Sequence, residues 1–301
     1  GTAGLLVSAD SVALAAARLV IGGAALAVLA RRVTITPLLL LAALAVAAYQ
    51  LCFFAAVART GVAIGTVVAI GSGPVFTGLL SWLLYGRRPG PRWAAATATA
   101  IAGCTALIAG GGAQAGAQVL PGVLLALLGG LLYAFYAVTA ARAIDRGAES
   151  GAVMGVLFGG AALVMLPILL WRGVGWLADP RALLAVLYLG LASTALAYLL
   201  YGRGLRTTPV ATAATLALAE PAVAALLGVF VLGEHLTPVS IGGLILLAIS
   251  LAAVSMPEWP GGKSRAENGV GGLRPGRRAA ESDPVGGGQA GHGPARAGDR
   301  G

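Results

Sequence analysis

Glu220 is the residue in this chain with the clearest chemical capacity. It is a carboxylate near the middle of the apolar stretch Thr207–Pro238, and Pro221 follows it directly. A carboxylate so placed can hold a cationic group, or take up and release a proton. Ionisable groups deep in apolar helices are rare and face a cavity or a partner. Pro221 removes a backbone donor and crowds the carbonyl four residues back, so polar backbone is released at the same level. Glu220 also reads as a structural carboxylate that satisfies this released backbone. Arg18 carries the opposite charge inside a second apolar stretch. It can bind a carboxylate, pair with an acid such as Asp10, or snorkel its guanidinium to a polar surface.

A polar-aromatic set accompanies these charges. Tyr133 and Tyr136 are three residues apart, as are Tyr198 and Tyr201, so each pair shares one helix face. They fit either an amphipathic cavity lining or anchors at an interface. Tyr49 and Gln50 fall in the middle of their stretch, where anchoring fails, so they read as cavity or helix-contact residues. Ser72, next to Pro74, is a further cavity candidate. Ser72, Thr77, Ser81, Ser193 and Thr194 read more readily as hydrogen-bonding groups between helices. Catalysis finds no support: the two histidines, His235 and His292, sit at a helix end and in a C-terminal tail, with no acid or nucleophile constellation around them. Cys52 and Cys104 lie in apolar runs without a CxxC partner and read as packing residues. The run GGGAQAGAQ lacks the lysine and Ser/Thr of a phosphate loop. Nothing here calls for a metal or a cofactor.

Composition says what must position these residues. The chain is 58% hydrophobic and 10% charged, with a mean hydropathy of +0.89, whereas a soluble domain carries about 25% charged residues. So few charges cannot cover a water-facing surface, which makes this a polytopic helical membrane protein. A β-barrel is excluded, because Leu38–Ala48 and Val123–Leu132 are apolar on every side rather than alternating.

A span needs about 20 apolar residues. The hydropathy predicts helices over Val12–Ala30, Pro37–Ala58, Val62–Tyr85, Arg92–Ala109, Gly122–Ala143, Gly151–Leu170, Ala182–Gly202, Val210–Leu232 and Val239–Ser255. Gly1–Val7 reads as the end of a first helix that is largely missing, with Ser8-Ala9-Asp10-Ser11 as the next helix start. This makes an all-α architecture of ten transmembrane helices. The helix over Val62–Tyr85 is expected to be interrupted at Gly71-Ser72-Gly73-Pro74. From Pro257 onward Gly, Arg, Pro and small polar residues dominate, which predicts a disordered tail over 257–301.

The net charge of +9 does not mark a nucleic-acid partner, because the basic residues sit at helix ends and in the tail. With the N-terminus cytoplasmic, that side holds Arg31, Arg32, Arg87, Arg88, Arg92, Arg142, Arg146, Arg203 and Arg206. Only Arg59, Arg172 and Arg181 fall opposite. This asymmetry is the positive-inside pattern, and it places the C-terminus in the cytoplasm of a multi-pass cell-membrane protein.

The chain also repeats itself. One constant offset lands Arg59-Thr60 on Arg206-Thr207, Pro74 on Pro221 and Gly86 on Gly233; a second lands GGAAL at 22–26 on GGAAL at 159–163. The halves run over 1–110 and 121–256, about five helices each. An odd number of spans inverts the second copy in the membrane. Sites in such folds lie mid-membrane where Gly- or Pro-interrupted helices correspond, here at Pro74 and at Glu220-Pro221.

These residues carry a resemblance. The proline-centred helix ending in Leu232-Gly233-Glu234, followed by Thr237-Pro238, resembles the signature of the EamA branch of the drug/metabolite transporter superfamily. Tyr85-Gly86-Arg87-Arg88-Pro89 is its weaker copy. Gly1-Thr2-Ala3-Gly4 and Ala16-Ala17-Arg18 resemble parts of that family's first and second helices. The resemblance implies a secondary carrier of small metabolites, amino-acid-like or amphipathic, commonly an exporter, working by alternating access through a cavity between the repeats. Its partners would be a small-molecule substrate and the lipid bilayer. Arg87 stands where Glu234 stands in the second half, which favours a membrane-edge role over shared chemistry there. The competing expectation is a non-transporting sensor or assembly protein acting through the tail.

Overall fold

Local backbone chemistry sets where the helices start and stop. Thr36 and Thr237 each precede a proline, and each side-chain oxygen caps the helix that follows, accepting from Leu39 N at 3.3 Å and from Ser240 N at 3.2 Å. The prolines take the first helical position, where no donor is needed. Gly61 and Gly86 separate helices at φ +85° and +68°, conformations that a side chain disfavours.

The computed structural model describes residues 11–28, 30, 35–110, 119–232 and 235–256. The expected remnant of the first helix, Arg31 and Arg32, most of the glycine-rich run, Gly233-Glu234 and the tail all lie outside the described residues. The elements are α1 (Ser11–Ala27), α2 (Pro37–Thr60), α3 (Val62–Tyr85), α4 (Pro91–Ala109), α5 (Val119–Asp145) and α6 (Ser150–Arg172). After them come a 3₁₀ turn at Gly175–Ala178, α7 (Pro180–Leu187), a π-helical stretch (Tyr188–Leu196), α8 (Ala197–Gly204), α9 (Val210–Leu216), α10 (Ala219–Leu232) and α11 (Pro238–Ser255). Among the described residues there is no strand. Eight helical segments are long and apolar enough to cross a membrane, and Val12–Ala27 is a shorter apolar one. Exposed Leu40, Leu44, Leu163 and Phe230 give the bundle the apolar exterior that lipid requires.

Two details depart from the sequence expectation. The helix bearing Pro74 is continuous, not interrupted. Its glycines let neighbours come close: Tyr133 packs on Gly73, and Ser72 packs on Gly130 of α5. That packing holds the helix through a missing hydrogen bond. The helix over 210–232 is broken between α9 and α10, as expected at Glu220-Pro221. Finally, α5 starts at Val119 rather than Gly122, because Pro121 is tolerated in a first turn.

The packing follows the repeat. If the halves exchange places, the partner of α1 is α6, that of α3 is α9/α10, and that of α4 is α11. Those pairs are in contact. The same exchange converts the α2–α6 contact into the contact of α1 with the π stretch, and both exist. The repeated GGAAL segments lie on each other: a Cβ on Gly23 would meet Phe158 and Ala162, and one on Gly159 would meet Ala27 Cβ at 2.8 Å. In lipid, where no hydrophobic force drives helices together, such small-residue contacts and interhelical hydrogen bonds do the joining. The α4–α11 pair uses both. Ser240 Oγ donates to Leu107 O at 2.9 Å, Thr237 Oγ1 to Gly110 O at 3.0 Å, and Ser250 Oγ to Ala96 O. Between them, a Cβ on Gly103 would lie 2.9 Å from Gly243 O. The main core gathers Leu19 and Leu26 of α1, Tyr136 of α5, and Met154, Leu157, Phe158 and Met165 of α6.

Candidate functional site

A cavity of about 980 Å³ lies between the halves. From the first half, α1 contributes Arg18, α2 contributes Tyr49, Gln50, Phe53 and Phe54, and α3 contributes Thr66, Ala69 and Ile70. From the second half come Tyr133 of α5, Ser193 and Thr194 of the π stretch, Tyr198 and Tyr201 of α8, and Glu220 and Pro221 of α10. The cavity extends past Val57 and Ala58 of α2 and Ile108 of α4, towards the arginine-poor helix ends.

The broken helix places Glu220. Pro221 has no N–H for the carbonyl of Ala217, so that carbonyl accepts Glu220 N at 3.0 Å instead, one residue short of the α-helical spacing. Leu218 N likewise reaches back to Thr215 O at 3.0 Å. The chain tightens, α9 ends, and α10 restarts with Glu220 in its first turn, exposed to the cavity. That position near a helix N-terminus favours a negative charge. The carboxylate makes no ion pair among the described residues.

The tyrosine pairs meet crosswise. Tyr133 and Tyr201 have hydroxyls 3.5 Å apart, and those of Tyr136 and Tyr198 are 3.4 Å apart. Three-residue spacing on two adjacent helices lines up two rungs. The Tyr49 ring lies tilted, with its centroid 6.1 Å from that of Tyr133 and 6.4 Å from that of Tyr136, and the ring centroids of Phe158 and Tyr198 are 3.9 Å apart. The result is an aromatic wall with hydroxyls at its seams. Beyond this wall, towards the arginine-rich helix ends, Arg142 lies over the ring of Tyr85 at 4.0 Å and Arg87 pairs with Asp145 at 2.7 Å. Together they line a smaller recess of about 240 Å³ between α3 and α5.

Of the sequence candidates, Glu220, Pro221, Arg18, Tyr49, Gln50, Tyr133 and Tyr198 line one cavity. Ser72, Pro74 and Tyr136 lie outside its lining. Pro74 is buried, and Tyr136 is fully covered behind the tyrosine seam. Ser72, Thr77, Ser193 and Thr194 do not bridge helices as expected. Their hydroxyls donate to carbonyls of their own helices, Ala69, Gly73, Leu189 and Leu189 respectively. Short hydroxyl side chains reach the preceding turn before they reach a neighbour. Sequence reasoning did not single out Phe53, Phe54 or Ile70, which no polar signal marks. It also missed the π stretch, where Thr194 reaches a carbonyl five residues back.

These features define a polytopic helical membrane protein with a polar-aromatic cavity between two related halves. The chain belongs to the EamA-like transporter family, whose profile matches residues 2–109 and 120–256. It is 39% identical over 256 residues to a Bacillus subtilis (strain 168) protein named "Uncharacterized transporter YwfM", covering 82% of this chain and 85% of that one. It is also 39% identical over 142 residues to the threonine/homoserine exporter RhtA of Salmonella typhimurium, covering 45% of this chain and 44% of that protein. A solved crystal structure at 22% identity superposes with a TM-score of 0.71, covering 84% of this chain and 91% of that one. At that identity the likeness concerns the fold.

Proposed function

We propose that this protein is a secondary carrier that exports small amino-acid-like or amphipathic metabolites across the cell membrane by alternating access, with its C-terminus in the cytoplasm. The observation that carries this reading is the cavity itself: about 980 Å³, at the interface of the halves, lined by one cationic, one anionic and several tyrosine side chains. A scaffold has no use for an arginine and a glutamate that line one space without an ion pair among the described residues, since charges within apolar helices are costly. The exporter named among the relatives supports the direction of transport. In this reading the cavity faces outward. The tyrosine seams, the Arg142–Tyr85 contact and the Arg87–Asp145 pair close the cytoplasmic side. Opening inward separates α3 from α5 there and brings α2 and α4 together at the other end.

The test is counterflow in proteoliposomes. Purified protein, loaded with a mixture of unlabelled metabolites, should accumulate a labelled member of the mixture, and Glu220→Gln should abolish most of that accumulation while the protein stays folded. No accumulation of any amino acid or amphipathic metabolite by folded protein overturns the reading.

A further inference from the structure

The recess at the arginine-rich helix ends shares no lining residue with the large cavity, and its charges do not balance. Three guanidiniums, those of Arg87, Arg142 and Arg146, line it against one carboxylate, Asp145. Arg87 takes that carboxylate, and no other ion pair is present among the described residues. The C-terminal ends of α3 and α5 meet there too, each presenting carbonyls equivalent to about half a negative charge. Asp145 and the two helix ends together offset about two of the three guanidiniums, so about one positive charge is left over. Arg142 and Arg146 are four residues apart and line the same recess, a like-charged spacing that costs stability while nothing lies between them. Positive charge at helix ends is the ordinary mark of membrane orientation. Orientation does not require three guanidiniums to converge on one recess.

The donors are held ready. Arg142 is half-buried, with its guanidinium over the Tyr85 ring at 4.0 Å. Stacking uses the face of the guanidinium and leaves the N–H groups along its edge to hydrogen-bond. Arg87 reaches Asp145 through one nitrogen, Nη1, so its other donors remain. One turn deeper in α3 than Tyr85, Ser81 lines the recess at 5% exposure, and its hydroxyl makes no hydrogen bond among the described residues. We infer that this recess binds a phosphate group, its oxygens on Arg142, Arg146 and the remaining edge of Arg87, with Ser81 donating from the deeper side. A carboxylate presents its two oxygens in one plane and suits a single fork. The oxygens of a phosphate are spread tetrahedrally and meet guanidiniums on different sides. Two sources carry that group. Trp82, exposed in the last turn of α3 with Arg88 over its ring at 5.0 Å, marks the level of lipid headgroups, and exposed Leu83 and Leu84 adjoin it. A soluble phosphate reaches the same helix ends from water. The assignment stands on the recess and not on the carrier reading.

The experiment is protection of the recess from a thiol reagent. Ala141, which lines it, is changed by Ala141→Cys in a Cys52→Ala, Cys104→Ala background. The full chain is placed in phosphatidylcholine nanodiscs, and its reaction with a neutral maleimide is timed. In one arm, inorganic phosphate is titrated against chloride at constant ionic strength. In the other, the discs are an equimolar mixture of phosphatidylcholine and phosphatidylglycerol, without phosphate. In at least one arm the rate should fall about 5-fold or more, the protection given by a probe at several times its Kd. Slowing by phosphatidylglycerol alone assigns the recess to a lipid headgroup, slowing by phosphate alone to a soluble phosphate, and slowing by both to the phosphate group from either source. Arg142→Gln combined with Arg146→Gln should abolish the slowing. Arg146→Gln alone, at an exposed position, should cut it about threefold or more. Arg88→Gln, outside the recess lining, should leave it. No slowing in either arm overturns the inference. So does slowing that persists in a double variant shown to be folded by gel filtration and circular dichroism. Slowing that Arg88→Gln removes as fully as the double variant also overturns it, since surface charge in general then accounts for the effect. Where the double variant does not fold, the single one decides: full slowing with Arg146→Gln sinks the site.

Discussion

The two proline-bearing helices occupy related places in the two halves and solve the same backbone problem differently. In α3, Pro74 sits inside a continuous helix. In the second half, Pro221 ends one helix and begins another. The sequence next to Pro74 is the weaker helix former, Ile70-Gly71-Ser72-Gly73, against Ala217-Leu218-Ala219-Glu220. Intrinsic propensity would break the first and spare the second. Packing decides otherwise. The glycines of α3 are spent on close contact with Tyr133 and Ile101, and Gly130 of α5 receives Ser72 and Ala69 in return. Straightness in α3 is enforced from outside. Among the described elements α10 touches only α4 and α11 closely, so there the local conflict at Pro221 is free to act. The lesson is that the same residue is structural where its helix is clamped and site-forming where it is not.

The largest expected effects are at the break. Glu220→Gln should lower flux about 10-fold or more, from the loss of a charged hydrogen-bonding group. Pro221→Ala should lower it by a similar ~10-fold: a donor at 221 can satisfy Ala217 O in α-helical spacing and swing Glu220 off the cavity. Thermal stability should not fall, since alanine is a better helix residue than proline. Pro74→Ala in the clamped helix should leave flux within about twofold. Proteoliposome counterflow with melting curves reads all three. If Pro74→Ala is as damaging as Pro221→Ala, the contrast between the helices is wrong.

The clamp itself comes next. A Cβ at Gly130 would lie 3.0 Å from Ala69 O and 3.3 Å from Ser72 Cβ. Gly130→Ala should push α3 away from α5 and destabilise by about 1–3 kcal/mol, the usual cost of overpacking. Unchanged melting would mean that α3 is straight for some other reason. Tyr201→Phe removes one seam hydroxyl whose partner is at the long distance of 3.5 Å. Its cost should be smaller, about 0.5–1 kcal/mol, near the average for hydrogen bonds between membrane helices.

How legible was this contrast? The number and order of the described helices, the membrane class and the family signature are written in hydropathy and in short motifs, because lipid imposes length and apolarity on every span. Glu220 and Arg18 stand out for the same reason, as charges where charges are costly. The GGAAL repeat also pointed to a real contact. Yet the continuity of α3, the crosswise tyrosine bonds and the π stretch each depend on a neighbour distant in sequence. The hydroxyls of Ser72 and Thr77 show the limit well: their type says only that they will bond, and the nearest carbonyl decides where. Among 46 glycines, nothing marks Gly103 and Gly243 as the pair that meets.

The smallest expected effect is at the arginine-rich edge of the clamped helix. Arg87, just past α3, pairs with Asp145 at the end of α5, with side chains 66% and 34% exposed. An exposed pair of this kind contributes ~0–1 kcal/mol. Arg87→Ala should therefore hardly change the melting temperature. It should still shift the balance of conformations, because in the proposed cycle this pair exists in the outward-facing state and is broken in the other. One kcal/mol corresponds to about fivefold in such a balance. A cysteine placed at Ala141, which lines the recess behind the pair, should react with a membrane-impermeant maleimide from the cytoplasmic side up to ~5-fold faster in the Arg87→Ala background. Asp145→Asn should do the same, and the double variant should add nothing, since either change removes the one bond. Equal reactivity in all backgrounds would show that the tyrosine seams and the Arg142–Tyr85 contact hold α3 to α5 without help. The clamp on the Pro74 helix would then reside wholly in packing, leaving electrostatics to the broken helix alone.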